Sequence, residues 1–219
     1  EGKVLPEGYS NVPVKYKVAL TEDGRIEEII PYQKKEGEKF VAIIETMPKR
    51  TEKPGIEANI IEHRPLYIFG LNFDDGKLTE KDKTGKARKS HEAFVIKNLE
   101  FIEGLDSPVI NAYRKFINNW KPERENENAE LLSLGKGYGS GGFVFCLSGE
   151  PDRLLHKEST IIERYEQLLG EKREEEEKTV TAQCAVTGEK TRIATIHSKI
   201  KGVYGGLATG SVLVSFKNP

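Results

Sequence analysis

Cysteine is nearly missing from this chain: Cys146 and Cys184 are the only two in 219 residues. Both stand in apolar, strand-like contexts, GFVFCLSG and TAQCAVTG. Two thiols so placed read as buried free cysteines of a reducing compartment and exclude a disulfide framework. Histidine is scarce too. His63, His91, His156 and His197 are each isolated, so no Cys or His pair has the short spacing of a zinc site, and no metal is expected. No run approaches the ~18 apolar residues of a membrane helix, which excludes a membrane-spanning reading. The opening residues do not read as a secretory leader, and a cytoplasmic location is the expectation. The chain does not begin with Met and its last residues, Phe216 to Pro219, look cut, so the sequence reads as a fragment.

Signatures of catalysis are also lacking. The stretch Gly135-Lys136-Gly137-Tyr138-Gly139-Ser140-Gly141-Gly142 invites a nucleotide-binding reading. A phosphate-binding loop, however, needs Lys followed by Ser or Thr, with a helix after it. Here Lys136 is followed by Gly137 and the loop runs into a strand-like segment, so it reads as a connector or as a loop grazing a nucleic-acid backbone. Asp74-Asp75 before Gly76 is a turn more simply than a carboxylate pair. No Ser, Cys or Lys stands in a nucleophile context. Acids do not cluster near the basic segments, as two-metal nuclease chemistry would need. The expectation is a protein that is not an enzyme and carries no cofactor.

What is present is charge, 32% of residues, with a mean hydropathy of −0.55. Val12 to Leu20 alternates apolar and polar, turns at Thr21-Glu22-Asp23-Gly24 and continues from Arg25 to Ile30, which predicts a hairpin. Phe40 to Met47 and Leu66 to Phe73 read as further strands. Helical periodicity follows, first over Phe94 to Ile102 and then from Val109 to Trp120. Between them lie a C-cap Gly104, an N-cap Ser107 and Pro108 at the first helical position. Residues 121–142 are the least organised and mark a candidate sub-domain boundary within a domain spanning 1–219. Gly142 to Ser148 reads as a buried strand and Ser159 to Leu169 as an amphipathic helix leading into the acids Glu174 to Glu177. Thr181 to Ile193 reads as a second hairpin. Antiparallel hairpins and sheet flanking a helical middle predict an α+β fold.

The charges are segregated. Residues 77–90 hold six basic residues, Lys77 and Lys86 among them, against Glu80 and Asp82. Residues 178–219 hold six more, including Lys190, Arg192, Lys199 and Lys201, against Glu189 alone. Gly202, Gly205 and Gly206 interleave with these cations beside Tyr204. Cations that attract phosphate, next to glycines that let a backbone approach it, suit a polyanion partner. A solvated loop explains 77–90 equally well.

At this point the chain resembles the N-terminal part of the large subunit of the type I-C CRISPR surveillance complex (Cascade), the Csd-type large-subunit family. The matching words run in order: Gly8-Tyr9 before Val14 to Gly24; Pro48-Lys49-Arg50-Thr51 with Gly55-Ile56 and Asn59; Tyr67-Ile68-Phe69-Gly70; and Trp120 with Pro122-Glu123. Phe143 to Gly149 follows, then Cys184 with Val186 to Glu189, and Ile193-Ala194 with His197. Lys199 to Val203 and Leu213 to Phe216 close the set. The resemblance implies a non-catalytic DNA-binding subunit. It would contact the protospacer-adjacent motif (PAM) in double-stranded DNA and help open the duplex for guide pairing. Its partners would be the crRNA-containing subunits of Cascade, with cleavage left to a separately recruited helicase-nuclease. Guide pairing reads the long sequence, so such a protein needs only phosphate contacts and a few base-edge contacts. The family pattern has Gln where this chain has Leu207, and Asp-Asn where it has Glu62-His63. Asn72 or Asn59 could read a base in place of that Gln, or each could be a turn or cap residue. The other binding candidates are Lys190, Arg192, Lys199, Lys201, Tyr204, Gly205, Lys77 and Lys86. An interaction scaffold meeting crRNA or a neighbouring subunit is the alternative.

Overall fold

The turn from Thr21 to Gly24 joins β2 (Tyr16–Leu20) to β3 (Ile26–Pro31) as an antiparallel pair, as the sequence predicts. The computed structural model describes residues 5–51, 54–81, 83–177, 181–183, 188 and 190–192. Its contacts divide the chain into residues 1–167 and 168–219. Residues 121–142, where the composition changes, lie within the first unit. The class is α+β, with mixed sheets around a helical middle.

One expectation needs correcting at the start of the chain. Val12 to Leu20 is two strands in two sheets, not one. β1 (Tyr9–Val14) pairs antiparallel with β5 (Lys39–Pro48), which also pairs with β4 (Gln33–Glu36). The chain turns a corner at Lys15 because the N–H groups of Lys15 and Tyr16 both donate to the Gly142 carbonyl, at 2.9 and 3.2 Å. Pro13, which has no N–H to give a ladder, sits on β1 at the sheet's edge.

The two sheets differ in burial. In the four-stranded sheet β2 lies between β3 and β8 (Phe143–Leu147), running parallel to β8, and β9 (Glu150–Leu154) forms the far edge. All five residues of β8 are buried, as its unbroken apolar run FVFCL requires. In the β1–β5–β4 sheet the described residues cover one face more fully than the other. Val12, Val14, Glu45 and Met47 point inward, while the register puts Asn11, Pro13, Lys35, Phe40, Ile44 and Thr46 together on the opposite, exposed face.

The core is aromatic. α2 (Lys86–Phe101) and α3 (Pro108–Asn119) flank it, and α3 begins as predicted, with Ser107 Oγ accepting from Ile110 N and Pro108 opening the helix. Helix α2 is closed by Ile102, with Gly104 at φ +72° two residues beyond. Phe145 lies 4.7 Å from Tyr113 and 5.4 Å from Phe116 between ring centroids. Phe69 meets Phe143 at 5.3 Å and Trp120 at 5.4 Å.

Three further expectations change. Leu66 to Phe73 is not a strand: Pro65–Phe69 forms helix α1, and only Asn72–Asp74 is extended, as β6. Pro65 starts the helix, and Gly70 stops it in the left-handed region at φ +66°, its N–H bonded to Leu66 O. A Cβ at Gly70 would lie 2.7 Å from Pro122 Cγ and 2.9 Å from His91 Cβ, so the stop is sterically required as well. An apolar run this short carries no period that separates buried helix from strand. The basic stretch 77–90 is not one loop. β7 (Lys77–Thr79) pairs with β6 across Asp75 and Gly76, both at positive φ, and α2 begins at Lys86. The glycine stretch is not a bare connector either, because α4 (Ala129–Ser133) and α5 (Gly137–Ser140) form within 121–142 and Tyr138 is buried between Leu71 and the core.

Helix α6 (Ser159–Glu177) carries the expected amphipathic pattern into the acidic run, and the division between units falls within it. In the second unit β10 (Thr181–Gln183) pairs antiparallel with β11 (Lys190–Arg192), the predicted hairpin.

Candidate nucleic-acid interface

A groove of about 630 Å³ opens in the first unit where the β1–β2 corner, the turn into α1, β6, the start of α2 and the glycine-rich segment after α5 meet. Lys15, Arg64 and Lys86 line it, together with His63, Asn72 and Ser140. Among the described residues that line it none is acidic. A larger cavity of about 710 Å³ beside α2 and α3 is apolar, with Ile96, Ile117 and Trp120 in its wall and Glu92 and Glu123 beside Arg88 and Lys121. Only the smaller groove has the charge a polyanion needs.

Each wall has a local cause. The last turn of α5 gives way to Gly141-Gly142, whose backbone crosses the β1–β2 corner at close range. A Cβ on Gly141 would lie 2.6 Å from the Tyr16 ring, and one on Gly142 would collide with the Pro13 carbonyl. Phe143 N then donates to His63 O at 2.9 Å, which ties this wall to the turn before α1. Lys15 Nζ reaches Ser140 Oγ at 3.3 Å. Asn72 is half-buried at the start of β6, opposite Thr79.

Behind the groove lies a buried polar cluster. Glu62 is fully buried. Its carboxylate accepts from Asn59 N at 2.8 Å, His63 N at 3.0 Å, Arg64 Nε at 2.9 Å and Arg64 Nη2 at 2.7 Å. Burial alone would raise its pKa, but the hydrogen bonds from Arg64 and His63 outweigh that and hold the carboxyl far below the usual range. Arg50 donates to the carbonyls of Pro48, Ile60 and Ile61, and burial lowers its pKa to about 10. Those bonds hold Ile61 at φ +47°, a conformation β-branched residues avoid, so the turn that delivers His63 and Arg64 is strained and overdetermined. The Arg64 guanidinium also stacks on the Tyr67 ring at 3.7 Å.

Two of the sequence candidates, Asn72 and Lys86, come together in this groove. Asn59 does not. It is 3% exposed, its Oδ1 accepts from Thr51 N at 2.7 Å and its Nδ2 donates to Glu62, so its amide holds the loop and has no face left for a base. Lys77 is exposed on β7, opposite Asp74, and does not line the groove. Lys190 is exposed on β11, and Arg192 ends that strand. Lys199, Lys201, Tyr204 and Gly205 lie outside the described residues. Sequence reasoning missed Lys15, His63, Arg64 and Ser140. Lys15 looked like one polar step in a continuous strand. The signal for Arg64 was the Pro after it, which marks a helix start and so a residue at an element's end.

No group of three or more His, Cys, Asp or Glu among the described residues could hold a metal ion. Cys146 is buried, and burial pushes its thiol up to about 11. No helix among the described residues is long and apolar enough to cross a membrane. No curated protein matches the chain. A family model described as CRISPR-associated protein (Cas_Csd1) matches residues 1–219, the whole of the sequence. The chain therefore belongs to the Cas_Csd1 family of CRISPR-associated proteins, in agreement with the ordered words read from its sequence.

Proposed function

We propose that this chain is a non-catalytic DNA-binding part of a type I-C surveillance complex, and that its groove takes duplex DNA at the protospacer-adjacent motif. The observation that carries this reading is the groove whose described lining holds Lys15, Arg64 and Lys86 with Asn72 and no acid. The three cations suit phosphates flanking a short site. A side-chain amide among them offers the paired donor and acceptor that distinguish adenine in a groove. Contacts to a few base pairs would suffice to help open the duplex, because guide pairing reads the rest. The crRNA-containing subunits are the expected neighbours, and a recruited helicase-nuclease the cutting partner. The scaffold alternative has the apolar cavity beside α2 in its favour, where Ile96 is 67% exposed.

Lys15→Glu/Lys86→Glu tests the reading. The double variant should weaken binding to every short duplex about equally and flatten the dependence of log affinity on log salt by roughly 0.9 per lost contact. Unchanged affinity and slope in a folded double variant would overturn the assignment.

A further inference from the structure

The apolar cavity beside α2 and α3 holds an unused hydrogen-bond acceptor. His91, only 7% exposed, forms part of its wall with Val95, Ile96, Ile117 and Trp120. His91 Nδ1 bonds to Tyr67 O at 3.0 Å, and a carbonyl can only accept, so Nδ1 carries the proton. Burial lowers the imidazole pKa below its ordinary value, so the ring is neutral at pH 7 and Nε2 is a bare acceptor. No described residue donates to Nε2. The donors on the wall are engaged elsewhere. Trp120 Nε1 donates to Phe69 O at 2.9 Å, Asn118 Nδ2 to Arg114 O at 3.0 Å, and Lys121 Nζ to Asn118 O at 3.1 Å. Arg88 stands against Glu92 at 3.9 Å.

We propose that this cavity is a socket for a tryptophan side chain of a protein partner, whose indole N–H donates to His91 Nε2. The wall selects the side chain. An apolar cavity with one bare acceptor wants a large apolar body that carries a donor and no further acceptor, and indole is that group. A phenol would bring lone pairs with nothing to donate to them, and a phenyl ring would leave Nε2 unsatisfied. Charge selects a protein as the bearer. Three acids of the lining (Glu80, Glu92, Glu123) balance three bases (Lys81, Arg88, Lys121), which suits the mixed polar rim of a protein interface and gives a polyanion no net attraction. Buried tryptophans anchored in a pocket are the side chains that dominate such interfaces. The cavity shares no lining residue with the cationic groove, so the proposal does not depend on the duplex site.

Titration of the full chain with N-acetyl-tryptophanamide, followed by NMR of labelled isoleucine methyls, tests it. The probe should shift the Ile96 and Ile117 signals saturably. Its analogue methylated on the indole nitrogen has no N–H and should bind about tenfold more weakly, because it leaves Nε2 buried without a donor. His91→Phe keeps a ring of similar shape without the acceptor, and should bring the two probes to equal affinity. That variant also loses the bond to Tyr67 O, so Ile96→Glu is the second: a charge at this 67% exposed position should weaken both probes about tenfold with unfolding unchanged. Duplex binding by Ile96→Glu should match the parent. A photo-crosslinking residue at Glu92, on the rim, should join in cells to a protein segment that contains tryptophan. The socket is overturned if both probes bind the parent equally, if neither moves Ile96 and Ile117, or if Ile96→Glu binds them like the parent. Crosslinks to nucleic acid, to a second copy of this chain or to a segment without tryptophan would overturn the occupant. Loss of duplex binding in Ile96→Glu would show that cavity and groove are not separate sites.

Discussion

Charge sits on both sides of the groove wall, under opposite conditions. Behind the wall Glu62 is fully buried, and Arg64, His63 and Asn59 donate to its carboxylate, while Arg50 beside it is occupied by three backbone carbonyls. On the open side Lys86 is exposed, and Lys15 is half-buried with its ammonium donating to the hydroxyl of Ser140 at 3.3 Å. Buried charge survives only when fully paired, and breaking such a pair leaves an uncompensated ion in a low dielectric. Surface charge does little for stability and keeps its capacity for a partner. The contrast separates residues that shape the site from residues that meet the ligand, and each side predicts a different phenotype.

Removing the hub should have the largest effect. Glu62→Gln leaves the Arg64 guanidinium without its carboxylate, so it should cost roughly 3–5 kcal/mol of unfolding free energy. Denaturant unfolding measures this directly. The loss should extend to duplex binding in whatever fraction stays folded, because the strained turn at Ile61 holds His63 and Arg64 in the groove. Full stability in Glu62→Gln would mean that the cluster is not what fixes the turn.

A second buried carboxylate, away from the groove, serves as the control. Glu45, at 5% exposure, accepts from Tyr32 at 2.7 Å, Lys157 at 2.8 Å and His156 at 3.1 Å. Burial would raise its pKa, but these partners overcome it and lower the value to about 2. A carboxyl whose folded pKa is depressed adds stability above its ordinary value near 4.5 and loses it as pH falls toward about 2. Glu45→Gln should therefore cost roughly 3 kcal/mol at neutral pH, with the difference from the parent shrinking across that acid window. Duplex binding should stay intact. A binding defect in Glu45→Gln equal to that of Glu62→Gln would show that both act only through global stability.

The sequence carried the fold class, the hairpin at Thr21 to Gly24, the fully buried β8 and the start of α3 at Ser107-Pro108, each written in local patterns of period or capping. It did not show the sheet switch at Lys15, because the cause is the carbonyl of Gly142, far along the chain. Nor did it show that LYIF is helical, since four apolar residues carry no period and the decision lies with Pro65, Gly70 and the space beside His91. The candidate site was legible in part. Asn72 and Lys86 stood out through turn position and charge. Lys15 and Arg64 did not, because only the fold brings the β1–β2 corner against the turn before α1. The words that carried the family resemblance at Arg50, Thr51 and Asn59 belong to the buried cluster, and the departure at Glu62-His63 falls on its hub.

The smallest and most specific effect belongs to Asn72. Its side chain is half-buried at the groove's edge, held by β6 and flanked by Phe73, whose ring packs 6.3 Å from Tyr138. A base contact made there would come from a positioned amide, worth about 1–3 kcal/mol of discrimination against the wrong base. Asn72→Ala should change stability by no more than about 0.5 kcal/mol, as for a substitution at an edge position. It should leave the salt dependence of binding unaltered, because no phosphate contact is lost. The expected change is confined to selectivity: competition between motif-bearing and scrambled duplexes should lose its preference while overall affinity falls little. Asn59→Ala should behave oppositely, destabilising the loop from Thr51 to Glu62 with no selective loss, since both ends of that amide are already bonded within the protein. If Asn72→Ala still prefers the motif, selectivity comes from the shape and deformability of the duplex against the Gly141-Gly142 wall rather than from an amide. The groove then remains a phosphate site that positions DNA without reading it.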